Sequence, residues 1–260
     1  MTTHDLIQLL PANVFAIALV FCRVGAALLW LPGFGNASVQ VRIRLIVGVL
    51  IAVVVTPVLA PDLPAINAAS TNVMGLITVE LVVGSFIGVF ANLLVGGLEL
   101  AGGVIAMQSS LASALVFNPG EEKQETLPAA MLASLATVLI VATDMHHAML
   151  AVIVDSYHRF PAGAAVPAGD MADALARIVS TGFTIALQIS APYVVLGTLF
   201  HLTLGLIGRI MPQLQIFYIG LPMQLLGGLA LLLVTIPPSI IWFLARFETL
   251  FTGLTATQGP

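Results

Sequence analysis

Six apolar runs, at residues 12–31, 43–59, 73–98, 127–154, 178–207 and 216–243, leave little of the chain for anything else. Runs of this length read as helices able to cross a membrane, for which ~20 apolar residues suffice. The remaining residues cannot screen such a surface from water: 59% of the 260 residues are hydrophobic and 8% charged, against roughly 25% charged in soluble domains. Mean hydropathy is +1.10. The class is integral membrane, or a protein embedded in a large apolar assembly, and the fold all-α, a single hydrophobic helical domain over residues 1–260.

Several functions drop out at this point. The net charge is −4 with no basic run, so nucleic acid is not a partner. Cys22 is the lone cysteine, which excludes an internal disulfide. No phosphate-cradling glycine loop, no serine or cysteine nucleophile motif and no H-E-x-x-H occurs. The chain offers no case for an enzyme, a cofactor or a metal. The N-terminal residues before the first run carry no Lys or Arg, and that run contains Arg23 with no small-residue cleavage site behind it. It reads as a retained helix, not a cleaved signal.

The stretch 101–126 breaks the pattern. It opens on Gly102-Gly103, poor helix formers, continues through Gln108, Ser109, Ser110 and Ser113, and ends on Phe117-Asn118-Pro119-Gly120 and a charged cluster. Residues 104–117 are too few to span a bilayer and suit a re-entrant segment. Non-helical backbone at such depth survives only inside protein or lining a watery cavity. The expectation is a loop at about 102–120 folded back into a pore. Met107, Leu111, Leu115 and Phe117 would seal it, a soft thioether and bulky apolar groups closing a narrow conduit without binding its contents.

Other features fit poorly with six helices standing independently in lipid. As one helix the fourth run would be about 42 Å long, against a hydrocarbon core of about 30 Å. Loop cations divide four to three between the two sides, so charge gives no orientation. Arg23, Asp144, His146, His147, Gln188 and Gln224 fall in mid-run. A charge at the bilayer centre costs about 2.5–3.5 kcal/mol on insertion scales, so these faces should meet protein. Asp144 and His147, three apart, share a helix face. His146-His147 with Asp144 could form a metal site or proton relay, but zinc wants three or four ligands at ligand spacing and no second cluster is available; a polar contact between subunits plus a solvated helix terminus is the favoured reading. Glu80 and Glu99 read either as ion-pathway carboxylates or as partners of Arg23 or Arg42. Gly84-x-x-x-Gly88, Gly96-Gly97, Gly205 with Gly208, and Gly227-Gly228 point to closely packed helices. Pro57, Pro192 and Pro222 should kink theirs.

Taken together, several motifs resemble the FliR family of flagellar type III export-gate proteins. Residues 21–59 carry Arg23-Val24, a Pro32-x-Phe34-Gly35 break, a basic turn at Arg42 and Arg44, and an apolar run closed by a proline. Gln108, Ala114, Phe117 and Pro119 resemble the family's Q-x-G-x-x-x-A-x-x-F-D-P segment. Residues 205–228 are similar to its G-L-x-x-R-x-x-P-Q-x-N-x-F-x-x-G-x-P pattern, and Ser156 to Pro161 to its helix end S-F-x-x-x-P. Ser110 stands in place of the family's glycine, Asn118 of its Asp and Gln215 of its Asn.

The resemblance implies a non-enzymatic subunit of the flagellar export gate in the bacterial inner membrane, at the basal body. Its long, kinked helices would pair as hairpins in a hetero-oligomer with FliP-like and FliQ-like subunits, beside FlhB-like and FlhA-like gate proteins. Unfolded export substrates would pass through the channel they enclose. Met107, Gln108, Leu111, Leu115, Phe117, Asn118 and Pro119 inherit the plug. Arg209, Pro212, Gln213 and Pro222 inherit a structural role at the turn between the last two helices. Arg23, Asp144 and His147 are the expected buried polar contacts with partners. The competing reading is an ion-coupled secondary transporter with a midplane site on the fourth helix.

Overall fold

The computed structural model describes residues 3–35, 39–63, 73–112, 125–211 and 216–254. They form helices throughout: α1 (Thr3–Trp30), α2 (Val41–Leu59) with a 3-10 turn at Ala60–Asp62, α3 (Val73–Gln108), α4 (Leu127–Ala142), α5 (Met145–Arg159), α6 (Ala168–Ile210) and α7 (Ile216–Thr252). Among the described residues, five helices are long and apolar enough to cross a membrane, six if α4 and α5 count as one broken span.

The helix ends follow local chemistry. α1 stops before Pro32-Gly33, where Gly33 takes φ +90° and the Gly35 amide closes onto the Leu31 carbonyl at 2.7 Å. α5 stops at Arg159, the Phe160 amide donating to Ser156 O at 2.7 Å ahead of Pro161. α6 carries Asp170 in its first turn and Arg209 in its last, each complementing the helix dipole at its own end.

Three elements depart from the sequence expectation. Helix α3 runs straight through Gly102-Gly103, and non-helical backbone begins only after Gln108. A Cβ at Gly102 would collide with the backbone of Pro128 and Ala129. Close approach of α3 and α4 therefore selects glycine there, and burial keeps the backbone bonds that water would otherwise compete for. The fourth run is two helices of 16 and 15 residues. It breaks at Asp144, which adopts the left-handed φ of +59°. Finally, the last two helices outgrow their apolar runs, reaching 43 and 37 residues. At 1.5 Å per residue they are about 65 and 55 Å long, well beyond the hydrocarbon core.

The chain divides into two compact units, residues 1–92, 140–176 and 248–260 in one and 93–139 and 177–247 in the other. In the first, α3 lies against α1 through the Gly84-x-x-x-Gly88 pair. A Cβ at Gly84 would strike the Arg23 carbonyl oxygen, and one at Gly88 would sit 2.8 Å from Trp30 Cβ. α2 packs on α1 with Gly48 beneath Phe21 and Leu28. Phe86 meets Phe160 edge-on at 6.3 Å, and Phe90 meets Phe251. In the second unit α6 and α7 pair side by side, tied by a hydrogen bond between the Tyr193 and Thr235 hydroxyls. Gly97 lies on the Gly182 backbone, so one residue of the Gly96-Gly97 pair faces a helix while nothing among the described residues approaches within 4 Å of a Cβ at the other.

Candidate functional site

The end of α3 is held by α6 and α7. The last carbonyls of a helix lack intrahelical partners, and that of Gln108 accepts a 2.7 Å hydrogen bond from Gln224 Nε2 on α7. The Gln108 side chain lies over Gly197 of α6, where a Cβ would collide with it, and the Ser109 side chain seats on Gly228 of α7 in the same way. Ser109 is buried and its Oγ donates to Ile105 O at 2.6 Å. The chain then turns sharply: Ser110 takes φ +61°, and the Ala112 amide reaches the Ala106 carbonyl at 3.1 Å. That left-handed φ gives a physical reason for a glycine there in the pattern this chain resembles. Gln108, Leu196, Phe200, Met223 and Gln224 border a cavity of about 280 Å³ beside this anchor.

The plug residues named from the sequence are distributed around this point. Met107 is 73% exposed on the last turn of α3, Gln108 is part-buried at the anchor, and Leu111 is half-buried in the turn. Leu115, Phe117, Asn118 and Pro119 lie outside the described residues, as do Pro212 and Gln213. Arg209 and Pro222 are exposed on α6 and α7. Sequence reasoning noted Gln224 and the Gly227-Gly228 pair without linking them to the central stretch. Gly197 carried no signal, being one glycine among 23.

Arg23 is satisfied inside its own chain. Its Nε and Nη2 donate to the two Glu80 oxygens at 2.6 and 3.1 Å. Nη1 donates to Ser156 Oγ at 3.0 Å, and Nη2 also to the Phe160 carbonyl at 2.9 Å. The guanidinium stacks 3.7 Å from the Tyr157 ring centroid, and the Tyr157 hydroxyl donates to Glu80 Oε2. Both charged side chains are wholly buried. Four of five guanidinium N–H groups and both carboxylate oxygens are thus engaged, the fork geometry that makes Arg the residue for buried pairs. Of the two readings open for Glu80, pairing with Arg23 is the one observed. The network ties α1, α3 and α5 together.

Asp144 and His147 are not buried by the chain's own fold: their side chains are 79% and 72% exposed, 3.7 Å apart. The neighbouring His146 ring lies 4.1 Å from that of His147.

Comparison with known proteins agrees with the architecture. The sequence matches the bacterial export proteins, family 1, over residues 14–250. It is 36% identical to the flagellar biosynthetic protein FliR of Caulobacter vibrioides over 243 residues, covering 94% of this chain and 97% of that one. It is 31% identical to FliR of Pectobacterium carotovorum over 84% of each chain. With FliR of Bacillus subtilis it shares 29% identity over 94% of this chain and 92% of the relative. With its apolar helices and its match along nearly the whole length, the chain belongs to the FliR family, membrane-embedded components of flagellar protein export.

Proposed function

We propose that this export component forms part of the wall of a protein-conducting channel and supplies the segment that closes it. It sits in the bacterial inner membrane at the flagellar basal body, built into a hetero-oligomer with FliP-like and FliQ-like subunits. The FlhB-like and FlhA-like gate proteins stand beside them. Unfolded flagellar substrates pass when the segment after α3 withdraws. The mechanism is gating, and closure works by making the conduit narrow and dry.

The observation that carries this reading is the anchor at Gln108. A non-helical turn leaves the end of a 36-residue apolar helix at a point clamped by a side-chain hydrogen bond and two glycine seats. Irregular backbone emerging among apolar helices needs protein or a water-filled cavity around it. Met107 is exposed beside the anchor, so its thioether is free to line the conduit, followed by Leu111, Leu115, Phe117, Asn118 and Pro119. Large exposed apolar side chains elsewhere, Val54 and Val58 on α2 and Leu233 and Val234 on α7, supply faces for lipid and partner helices. Arg209, Pro212 and Gln213 shape the turn between α6 and α7, whereas Pro222 lies inside α7.

Deleting residues 109–114 tests the plug. The complex should still assemble through its long helices, although the Ser109 seat on Gly228 is lost, while cells become leaky to ions and small molecules. An unchanged permeability barrier in an assembled complex would refute the role.

A further inference from the structure

The geometry points to a divalent transition-metal site, suited to Zn²⁺, formed by Asp144, His146 and His147 at the junction of α4 and α5. In a continuous helix residues 144 and 147 would share a face and 146 would point elsewhere. The left-handed backbone at Asp144 (φ +59°) removes that constraint. One ligand atom from each of the three residues now lies within 4.8 Å of the other two. Asp144 Oδ1 and His147 Nδ1 are 3.7 Å apart, too long for a hydrogen bond. That spacing is close to the ~3.4 Å separating two ligands of a tetrahedral ion with bonds of about 2.1 Å.

Two of the three donors have no hydrogen bond that would compete among the described residues. Asp144 occupies the N-cap of α5, yet its carboxylate makes no capping hydrogen bond. Nδ1 of His146 is enclosed without a hydrogen-bond partner among the described residues, a state that metal ligation or a rotated ring would resolve. Two imidazoles and one carboxylate are a donor set for Zn²⁺ and its neighbours, not for Mg²⁺ or Ca²⁺. Three protein ligands leave one position for water. The α5 N-terminus repels a cation weakly, but the Asp144 charge offsets it, and the α4 C-terminus with its opposite dipole ends at Ala142. The exposed side chains of Asp144 and His147 can close the last few tenths of an ångström by rotation. A bound ion would pin the left-handed residue and the first turn of α5.

The test uses the full chain co-purified with its export partners in mild detergent and stripped with EDTA. Zn²⁺ is titrated against a chromophoric chelator. The wild-type complex should take up one more Zn²⁺ per copy of this chain than a complex carrying Asp144→Asn, His146→Gln and His147→Gln. A His158→Gln, His201→Gln control should match wild type. Equal uptake by wild type and the triple variant overturns the site. Should the triple variant fail to assemble, zinc-edge X-ray absorption on the wild-type complex decides. Imidazole scattering that scales with copies of this chain supports the site, and its absence rejects it. Neither outcome depends on whether the segment after α3 is a plug.

Discussion

Replacing Arg23 by Met should destabilise the protein more than any surface change. Arg23→Met leaves the Glu80 carboxylate fully buried with only the Tyr157 hydroxyl donating to it. It also orphans the Phe160 carbonyl that accepted from Nη2. Breaking one side of a buried pair costs about 3–5 kcal/mol, mostly from the charge left behind. On the scale of about 2–4 °C per kcal/mol for chains of comparable size, the unfolding midpoint should fall by roughly 6–20 °C. The discriminating variant is Arg23→Met with Glu80→Met. Removing both charges takes away the attraction and the desolvation cost together, so the double substitution should recover most of the loss, within about 2 kcal/mol of wild type. The assay is thermal unfolding of the detergent-solubilised complex for wild type, both single variants and the double. A midpoint for Arg23→Met within 2 °C of wild type, or a double variant no better than the singles, would refute the assignment of this network as a tertiary tie between α1, α3 and α5.

Gln224→Leu should leave the Gln108 carbonyl unsatisfied, a penalty of about 1–3 kcal/mol, and raise ion leak through assembled complexes while export persists; wild-type permeability would count against the anchor. Gly84→Leu should block α3 from approaching α1, since even a Cβ there meets the Arg23 carbonyl, and the yield of purified complex should collapse. Gly103→Ala meets nothing within 4 Å among the described residues and should be neutral or stabilising by up to about 1 kcal/mol, measured as the same midpoint. At Ser110, glycine should be better tolerated than alanine by roughly 1 kcal/mol, because only glycine adopts the observed positive φ without strain; equal midpoints for the two variants would contradict the left-handed turn.

Composition and the length of the apolar runs pointed to helices in a membrane or a large apolar assembly, because a backbone without access to water must satisfy its own hydrogen bonds. The run ending at Leu31 also located the end of α1, where Pro32 stops a helix by covalent geometry, while the end of α5 before Pro161 matched what the family resemblance implied. The need of Arg23 for a buried acid was legible too, since an isolated charge in such surroundings has no other escape, though Glu80 could be named only among alternatives. Other features depended on neighbours remote in sequence. Asp144, His146 and His147 stood together in the sequence, but Asp is only permissive of the left-handed backbone, and the break at Asp144 that gathers all three appears only in the fold. Gly102-Gly103 looked like a helix stop because propensity scales describe a chain in water, whereas here Gly102 carries the contact with α4. Which glycine of a pair faces a helix, and that Gln224 reaches Gln108 across 116 residues of sequence, were decided when the helices packed. Local preferences are worth a kilocalorie or so per residue, and a close helix contact or a satisfied buried amide outweighs them.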